Sequence, residues 1–182
     1  MKKRYIRKII PIILLALTLA IIFRSYLFAS YVVNGESMEP TLHDGNLLMV
    51  NKVVYNLTDV DRFDIIVFHA NKRTDYVKRV IGLPGDEIVY KNDELFINGD
   101  NVQEPFLEPF RKMRDSKPYT EDFTLEGVTG SVTVPEGKLF VMGDNRRESL
   151  DSRKIGFVDA ATLVGKVDVK YWPVSDMQLS FG

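Results

Sequence analysis

The sequence has no cysteine and almost no histidine. Its 182 residues contain no Cys and only two His, His43 and His69. The lack of Cys excludes a disulfide-bonded scaffold, a catalytic thiol and a zinc site with Cys ligands. We therefore expect a protein that uses no metal ion and no cofactor.

Outside the first eight residues, basic side chains are outnumbered by acidic ones. Residues 1–8 carry five of the 24 Lys and Arg and no acidic residue, which leaves residues 9–182 with 19 basic and 25 acidic residues, a net charge of −6. This balance argues against nucleic acid as a partner of the main part of the chain. The length is typical of one soluble domain once a membrane segment is set aside.

A single long hydrophobic run follows the basic N-terminus. Residues 9–23 contain no charged side chain, and the chain stays moderately apolar after Arg24. A helix over residues 9–28 would be about 30 Å long at about 1.5 Å per residue. That length crosses a bilayer if the Arg24 side chain extends to the outer interface.

The charge distribution around this run predicts the topology. We expect residues 1–8 to form a cytoplasmic basic tail, residues 9–28 a transmembrane anchor, and residues 29–182 an extracytoplasmic domain. A cleavable signal peptide is the alternative, because the run is followed by the small residue Ala29. The bulky Phe28 and the length of the apolar stretch favour a retained anchor.

Long helical periodicity is absent beyond the anchor, and the remaining pattern predicts a mainly β domain. Short apolar or alternating runs that are typical of strands occur at residues 65–68, 139–142 and 166–171. Residues 88–97 predict a hairpin. Residues 100–131 contain three Pro and mixed charges, which predicts an excursion from the sheet rather than a second domain.

Ser37 is the first candidate for chemistry, because the stretch GESMEPTL at residues 35–42 lies just outside the predicted membrane. A serine hydroxyl is a poor nucleophile unless a base takes its proton. Neither His43 nor His69 stands in a recognisable catalytic setting. Lys78 is another possible base, since burial of its strand-like run would lower its pKa and leave a neutral amine. By pattern alone, a Lys78 that points into water is the simpler interpretation.

Three longer motifs closely resemble the signature boxes of type I signal peptidases, and they follow the same order. They read SMEPTL at residues 37–42, YVKRVIGLPGD at 76–86 and GDNRRESLDSR at 143–153. DIIVF at residues 64–68 resembles a fourth box between the first two. The resemblance extends from the hydrophobic run to about Trp172, and it reverses the interpretation of the lysine.

The resemblance implies a signal-peptidase-like β-sheet or barrel domain with a catalytic Ser–Lys dyad. Ser37 matches the nucleophile and Lys78 the general base, so that no histidine is needed. Ser149 matches a hydroxyl that orients the lysine through a hydrogen bond. Asp151 and Arg153 match an ion pair that holds the last motif against the active site.

The resemblance also implies the substrate, a secretory preprotein with small residues at the first and third positions before the cleaved bond. Val33, Met38, Tyr76 and Val77 are then candidate pocket residues, although the sequence places them equally well in a core. Membrane lipid is the other expected partner. The expected location is the outer face of a bacterial cytoplasmic membrane, and the oligomeric state stays open.

Two positions depart from the family pattern. Gly35 stands where some members have a serine that supplies a second oxyanion donor, so the resemblance does not name that donor here. Phe63 precedes Asp64 where glycine is more usual, and we expect a local change of turn. Two alternatives remain: a related Ser–Lys autoprotease of the stress-repressor type, and a non-catalytic β module anchored in the envelope.

Overall fold

A computed structural model describes residues 2–111, 118–179 and 181, without the side chains of residues 2–9, 22, 25, 56 and 109. The helices of these described ranges are α1 (Lys2–Leu27), α2 (Glu108–Arg111), α3 (Leu125–Thr129) and α4 (Ser152–Ile155). The strands are β1 (Phe28–Val32), β2 (Leu47–Asn51), β3 (Ile65–Asn71), β4 (Thr74–Gly82), β5 (Ile88–Lys91), β6 (Glu94–Ile97), β7 (Asp100–Val102), β8 (Phe123–Thr124), β9 (Lys138–Met142), β10 (Val158–Asp159) and β11 (Leu163–Trp172).

The strands form two sheets. The larger sheet has the order β1-β2-β11-β3-β4-β9-β10, and the smaller one has the order β7-β6-β5-β8. Every pair of named strands is antiparallel. The prediction of a mainly β domain is therefore confirmed.

Strand β3 shows why the sheet predictions succeed. Ile65 and Val67 belong to one apolar cluster, and Ile66 and Phe68 belong to another. Because side chains alternate between the two faces of a strand, β3 is buried on both faces, and its sequence reads as an unbroken apolar run. A third cluster, which includes Tyr90, packs the smaller sheet against β4 and β9 of the larger one.

The predicted hairpin at residues 88–97 is confirmed as β5 and β6. Asn92 and Asp93 connect the two strands with φ values of 54° and 71°. Positive φ at both central positions is typical of a tight hairpin turn, and Asn and Asp tolerate it better than most residues.

The predicted excursion at residues 100–131 needs a correction at its two ends. Strand β7 pairs with β6, and strand β8 pairs with β5, so both ends belong to the smaller sheet. These strands are only three and two residues long and largely polar, so they lack the apolar alternation that predicts a strand. Residues 112–117 of the excursion lie outside the described residues.

Of the anchor predicted for residues 9–28, residues 9–27 fall within α1, and Phe28 is the first residue of β1. Among the described residues, no helix combines the length and the apolar character that a membrane crossing requires. Met1 and the side chains of the predicted basic tail lie outside the described residues. The transmembrane anchor and the domain boundaries stay predictions.

Candidate active site

Ser37 lies in the connection between β1 and β2, residues 33–46, which we call the Ser37 loop. Met38 and Leu42 of this loop are only 1% and 0% exposed, and they pack in the same cluster as β2 and β3. This packing fixes the backbone that follows Ser37. On the other side, Gly35 has a φ of 88°, a conformation that favours glycine over residues with a side chain.

Lys78 lies in β4, and its side chain reaches the Ser37 hydroxyl. Its Nζ lies 2.8 Å from Ser37 Oγ and donates to the Val77 carbonyl oxygen at 2.9 Å. The lysine is 4% exposed. Burial lowers the pKa of the Lys78 amine to about 8, although the nearby Asp151 and Asp144 carboxylates act in the opposite direction. A neutral amine in this position has the geometry to take the proton of the serine hydroxyl.

Asp151 and Arg153 form a bidentate ion pair. Arg153 Nε and Nη2 donate to the two carboxylate oxygens at 2.9 and 2.7 Å. Asp151 is fully buried, which favours the protonated acid, but the Arg153 hydrogen bonds and charge outweigh burial and lower the pKa of Asp151. The backbone N–H of Gly143 also donates to Asp151 at 3.0 Å, so the ion pair is tied to the start of its own motif.

Ser149 does not make the hydrogen bond to Lys78 that the resemblance implies. Its hydroxyl is close enough to Asp151 to contribute to the lowered pKa of that carboxyl group. Among the described residues, however, Ser149 Oγ has no partner in hydrogen-bonding geometry, although the residue is only 2% exposed. The lysine amine is directed to Ser37 Oγ and the Val77 carbonyl oxygen instead. Ser149 therefore lies beside Asp151, and its role in orienting the lysine stays a prediction.

A groove of about 530 Å³ runs past the Ser37 hydroxyl and the Lys78 amine. All four candidate pocket residues line it, namely Val33, Met38, Tyr76 and Val77. Val33 and Met38 are at the same time members of a buried apolar cluster. Val33 and Met38 therefore belong both to a buried core cluster and to the lining of the groove, and the pocket role of the four residues stays a prediction.

The two histidines lie apart from this pair. His43 Nδ1 is 3.3 Å from Glu39 Oε1, and the His43 side chain is 50% exposed. His69 Nδ1 is 2.6 Å from Asp75 Oδ1, and the His69 side chain is 61% exposed. Among the described contacts of Ser37, the basic group is the lysine amine.

A sequence model of the family described as signal peptidase, peptidase S26, matches residues 6–172 of the chain. The chain belongs to this family. It is 57% identical over 159 residues to Signal peptidase I of Bacillus caldolyticus, with 87% of both chains covered. It is 40% identical over 185 residues to Signal peptidase IB of Staphylococcus aureus strain MRSA252, with 100% of this chain and 96% of the relative covered.

A solved structure of the same family shares the fold. The crystal structure of a signal peptidase I from Enterococcus faecalis V583 superposes with a TM-score of 0.58 at 44% sequence identity. The superposition covers 60% of this chain and 97% of that chain. The β architecture is therefore that of the signal peptidase I catalytic domain.

Gly143 begins the last family motif, and the sequence alone indicated no role for it. In the structure, a Cβ on this residue would collide with the Ser37 carbonyl oxygen and with the Ser149 side chain. Next to it, the backbone N–H of Asn145 donates to the Ser37 carbonyl oxygen at 3.1 Å. Glycine is needed here because the backbone of the last motif lies in direct contact with the backbone of Ser37.

Arg79 and Asp144 form a second buried ion pair that sequence reasoning missed. Arg79 Nε and Nη2 donate to the Asp144 carboxylate at 2.9 and 2.7 Å, and both side chains are fully buried. Thr41 of the Ser37 loop also donates to Asp144, at 2.6 Å. A charged residue inside the apolar run of β4 was the available signal, since a buried guanidinium requires an acidic partner.

Arg146 connects the catalytic motif to the smaller sheet. Its guanidinium donates to Glu104 Oε1 and to the Tyr90 hydroxyl, both at 2.6 Å, and to the Gly143 carbonyl oxygen at 3.1 Å. Glu104 receives a further hydrogen bond from Arg111 at 2.8 Å. The excursion is thus attached to the active-site motif by a buried network, which no local sequence pattern predicts.

Proposed function

We propose that the chain is a membrane-anchored serine endopeptidase that removes signal peptides from secretory preproteins, with Ser37 as the nucleophile and Lys78 as the general base. The observation that carries the proposal is the 2.8 Å approach of Lys78 Nζ to Ser37 Oγ in a buried setting. Membership of the signal peptidase family supplies the reaction and the class of substrate.

The proposed acylation step begins with a neutral Lys78 amine. The amine takes the Ser37 proton while Oγ attacks the carbonyl carbon of the scissile bond, and the same proton then passes to the leaving amine. The Ser37 backbone N–H is a donor for the oxyanion of the tetrahedral intermediate. Water completes the cycle by attacking the acyl-enzyme, and the lysine again removes and returns the proton.

The groove accounts for the proposed preference for small residues before the cleaved bond. Its walls next to Ser37 are the side chains of Val33, Met38, Tyr76 and Val77. Val33 and Met38 are held in a packed core, so displacing them to admit a large substrate side chain would cost packing free energy. Asp151 and Arg153 act by holding the last motif in place, and no metal ion or cofactor is assigned a role.

The proposed location is the outer face of a bacterial cytoplasmic membrane. The large apolar side chains that the structure describes in α1 between Ile10 and Ile21, and that of Phe23, are exposed, as they would be in contact with lipid. The five basic residues before them favour retention of the N-terminus in the cytoplasm. The catalytic domain would then meet preproteins as their cleavage sites emerge from the membrane.

Purified full-length protein incubated with a preprotein whose signal sequence ends in Ala-x-Ala tests this function. We expect a single cut after the second alanine, identified by N-terminal sequencing of the product. A Ser37→Ala variant serves as the control for contaminating proteases. No cleavage above that control would overturn the proposal, and so would cleavage of the chain itself without cleavage of the preprotein.

A further inference from the structure

The described residues after β11 fold back against the larger sheet. Beyond β11, a short 3₁₀ turn spans Val174–Asp176, and Gln178 then forms two backbone hydrogen bonds of 2.9 Å with Lys170. The family match ends at residue 172, so this C-terminal segment, residues 174–179 and 181, lies beyond the matched range. Its contacts nevertheless converge on residues that surround the dyad.

The first contact reaches the Ser37 loop through Lys170. This lysine is 3% exposed, and its Nζ donates to Asp176 Oδ2 at 2.8 Å and to the Thr41 carbonyl oxygen at 3.2 Å. Thr41 lies four residues after Ser37, and its hydroxyl donates to Asp144. Asp176 thus balances a buried ammonium group that is hydrogen-bonded to the backbone of the Ser37 loop.

The second contact reaches Arg79, the neighbour of the proposed base. Arg79 Nη1 donates to the Phe181 carbonyl oxygen at 2.8 Å and to the Phe63 carbonyl oxygen at 2.9 Å. The Phe181 ring packs against the cluster that contains Met38. Since Arg79 is fully buried, the C-terminal segment supplies one of the acceptors that its guanidinium needs.

We propose that residues 174–179 and 181 are a positioning element of the active site, which holds the Ser37 loop and the Arg79–Asp144 pair in the correct position relative to Lys78. The element acts through Lys170 and Phe181 and touches neither the substrate nor the reacting atoms. This inference rests on the proposed function, because catalysis is the property that correct positioning would serve. A small displacement of a nucleophile from its base is sufficient to slow the chemical step strongly.

Preprotein cleavage kinetics of the full chain provide the test. Lys170→Met removes both hydrogen bonds of the ammonium group while keeping the length of the side chain. We expect kcat to fall about tenfold and KM to change less than about twofold, because the reacting groups are misplaced while the groove is unchanged. Asp176→Asn removes the charge of a half-exposed carboxylate, and we expect it to lower kcat by about threefold.

Two controls separate positioning from general damage. Lys166→Met removes another ion pair of the same strand, on Asp64, and should keep the parental kcat and KM. Met177→Ala changes an exposed side chain of the C-terminal segment itself and should also behave as the parent. Circular dichroism and thermal unfolding establish that each variant is folded under assay conditions.

The outcomes distinguish this inference from the function on which it rests. A folded Lys170→Met or Asp176→Asn variant with the parental kcat would overturn the positioning role alone. An equal loss of kcat in Lys166→Met would also overturn it, because it would show that any substitution of an ion-paired lysine in β11 lowers kcat. If the parent does not cleave the preprotein above Ser37→Ala, the proposed function fails and the positioning role fails with it.

Discussion

The backbone N–H of Gly143 donates a 3.0 Å hydrogen bond to Asp151, while the Cα of Gly143 lies against the Ser37 carbonyl oxygen. Gly143 therefore lies between the Asp151–Arg153 ion pair and the backbone of Ser37, and it contacts both. The Ser37 carbonyl oxygen contacts the backbone of the last motif, and the Ser37 hydroxyl contacts the lysine amine.

Gly143→Ala should inactivate the enzyme without unfolding it. The added Cβ would collide with the Ser37 carbonyl oxygen, which must then move away from the last motif. We expect kcat for preprotein cleavage to fall by about 100-fold. Gly127→Ala is the matched control, since its Cβ would meet only the Thr124 hydroxyl, at 3.1 Å. Equal activity of the two variants would show that the Ser37 backbone tolerates displacement.

Asp151→Ala should destabilise the fold, because it leaves the Arg153 guanidinium without its partner and Gly143 without an acceptor. Breaking a buried ion pair costs about 3 to 5 kcal/mol, which corresponds to a decrease of about 10 °C in Tm for a chain of this size. Lys138→Ala breaks the exposed pair with Asp159 and should leave Tm nearly unchanged in the same thermal scan. An unchanged Tm and full activity of Asp151→Ala would remove the structural role of the pair.

Lys78→Met should be inactive but more stable than the parent near pH 7. The folded state lowers the pKa of Lys78 to about 8, so at lower pH folding must bury a charged amine, at a cost of roughly 3 kcal/mol. Between pH 8 and about 10.4 the unfolded chain binds the extra proton, and the parent therefore gains stability as the pH rises. The difference between the two proteins in urea unfolding should shrink across that window. A constant difference would mean that the pKa of Lys78 is not lowered in the folded state.

The approach of Ser37 to Lys78 was predictable because the family motifs fix both residue type and order. The two residues are 41 positions apart in the sequence, and the family resemblance pairs them. The strands around them were predictable because β3, β5, β6 and β11 carry apolar runs or alternation. These features are local, and local patterns are what a single sequence records.

The contacts around the dyad were less predictable, because they depend on packing between distant segments. The family resemblance implied a hydrogen bond from Ser149 that orients the lysine. Among the described residues, the Ser149 hydroxyl instead lies near Asp151 without a hydrogen-bond partner. The Arg79–Asp144 pair and the Glu104–Arg146 pair join residues 65 and 42 positions apart. A charge in an apolar run indicates that a partner exists, but only the fold determines which acid it is.

The anchor prediction is tested by topology. A protease-sensitive tag appended after Gly182 should be cut by protease added outside intact cells, because the five N-terminal basic residues resist translocation. The same tag on the N-terminus should be protected until the membrane is permeabilised. Protection of the C-terminal tag would place the catalytic groove in the cytoplasm and contradict the assignment of secretory preproteins as substrates.

The pH dependence of kcat/KM for preprotein cleavage, measured from pH 6 to 10 for the parent and for Lys78→Arg, tests the dyad most directly. The parental activity should rise with a midpoint near pH 8, as the amine of Lys78 loses its proton. Lys78→Arg should stay folded and lose at least about 1,000-fold in activity at every pH, since a guanidinium stays protonated and cannot accept the Ser37 proton. A His43→Ala, His69→Ala double variant should reproduce the parental profile. Substantial turnover by Lys78→Arg, or loss of activity in the folded double variant, would show that another residue is the base.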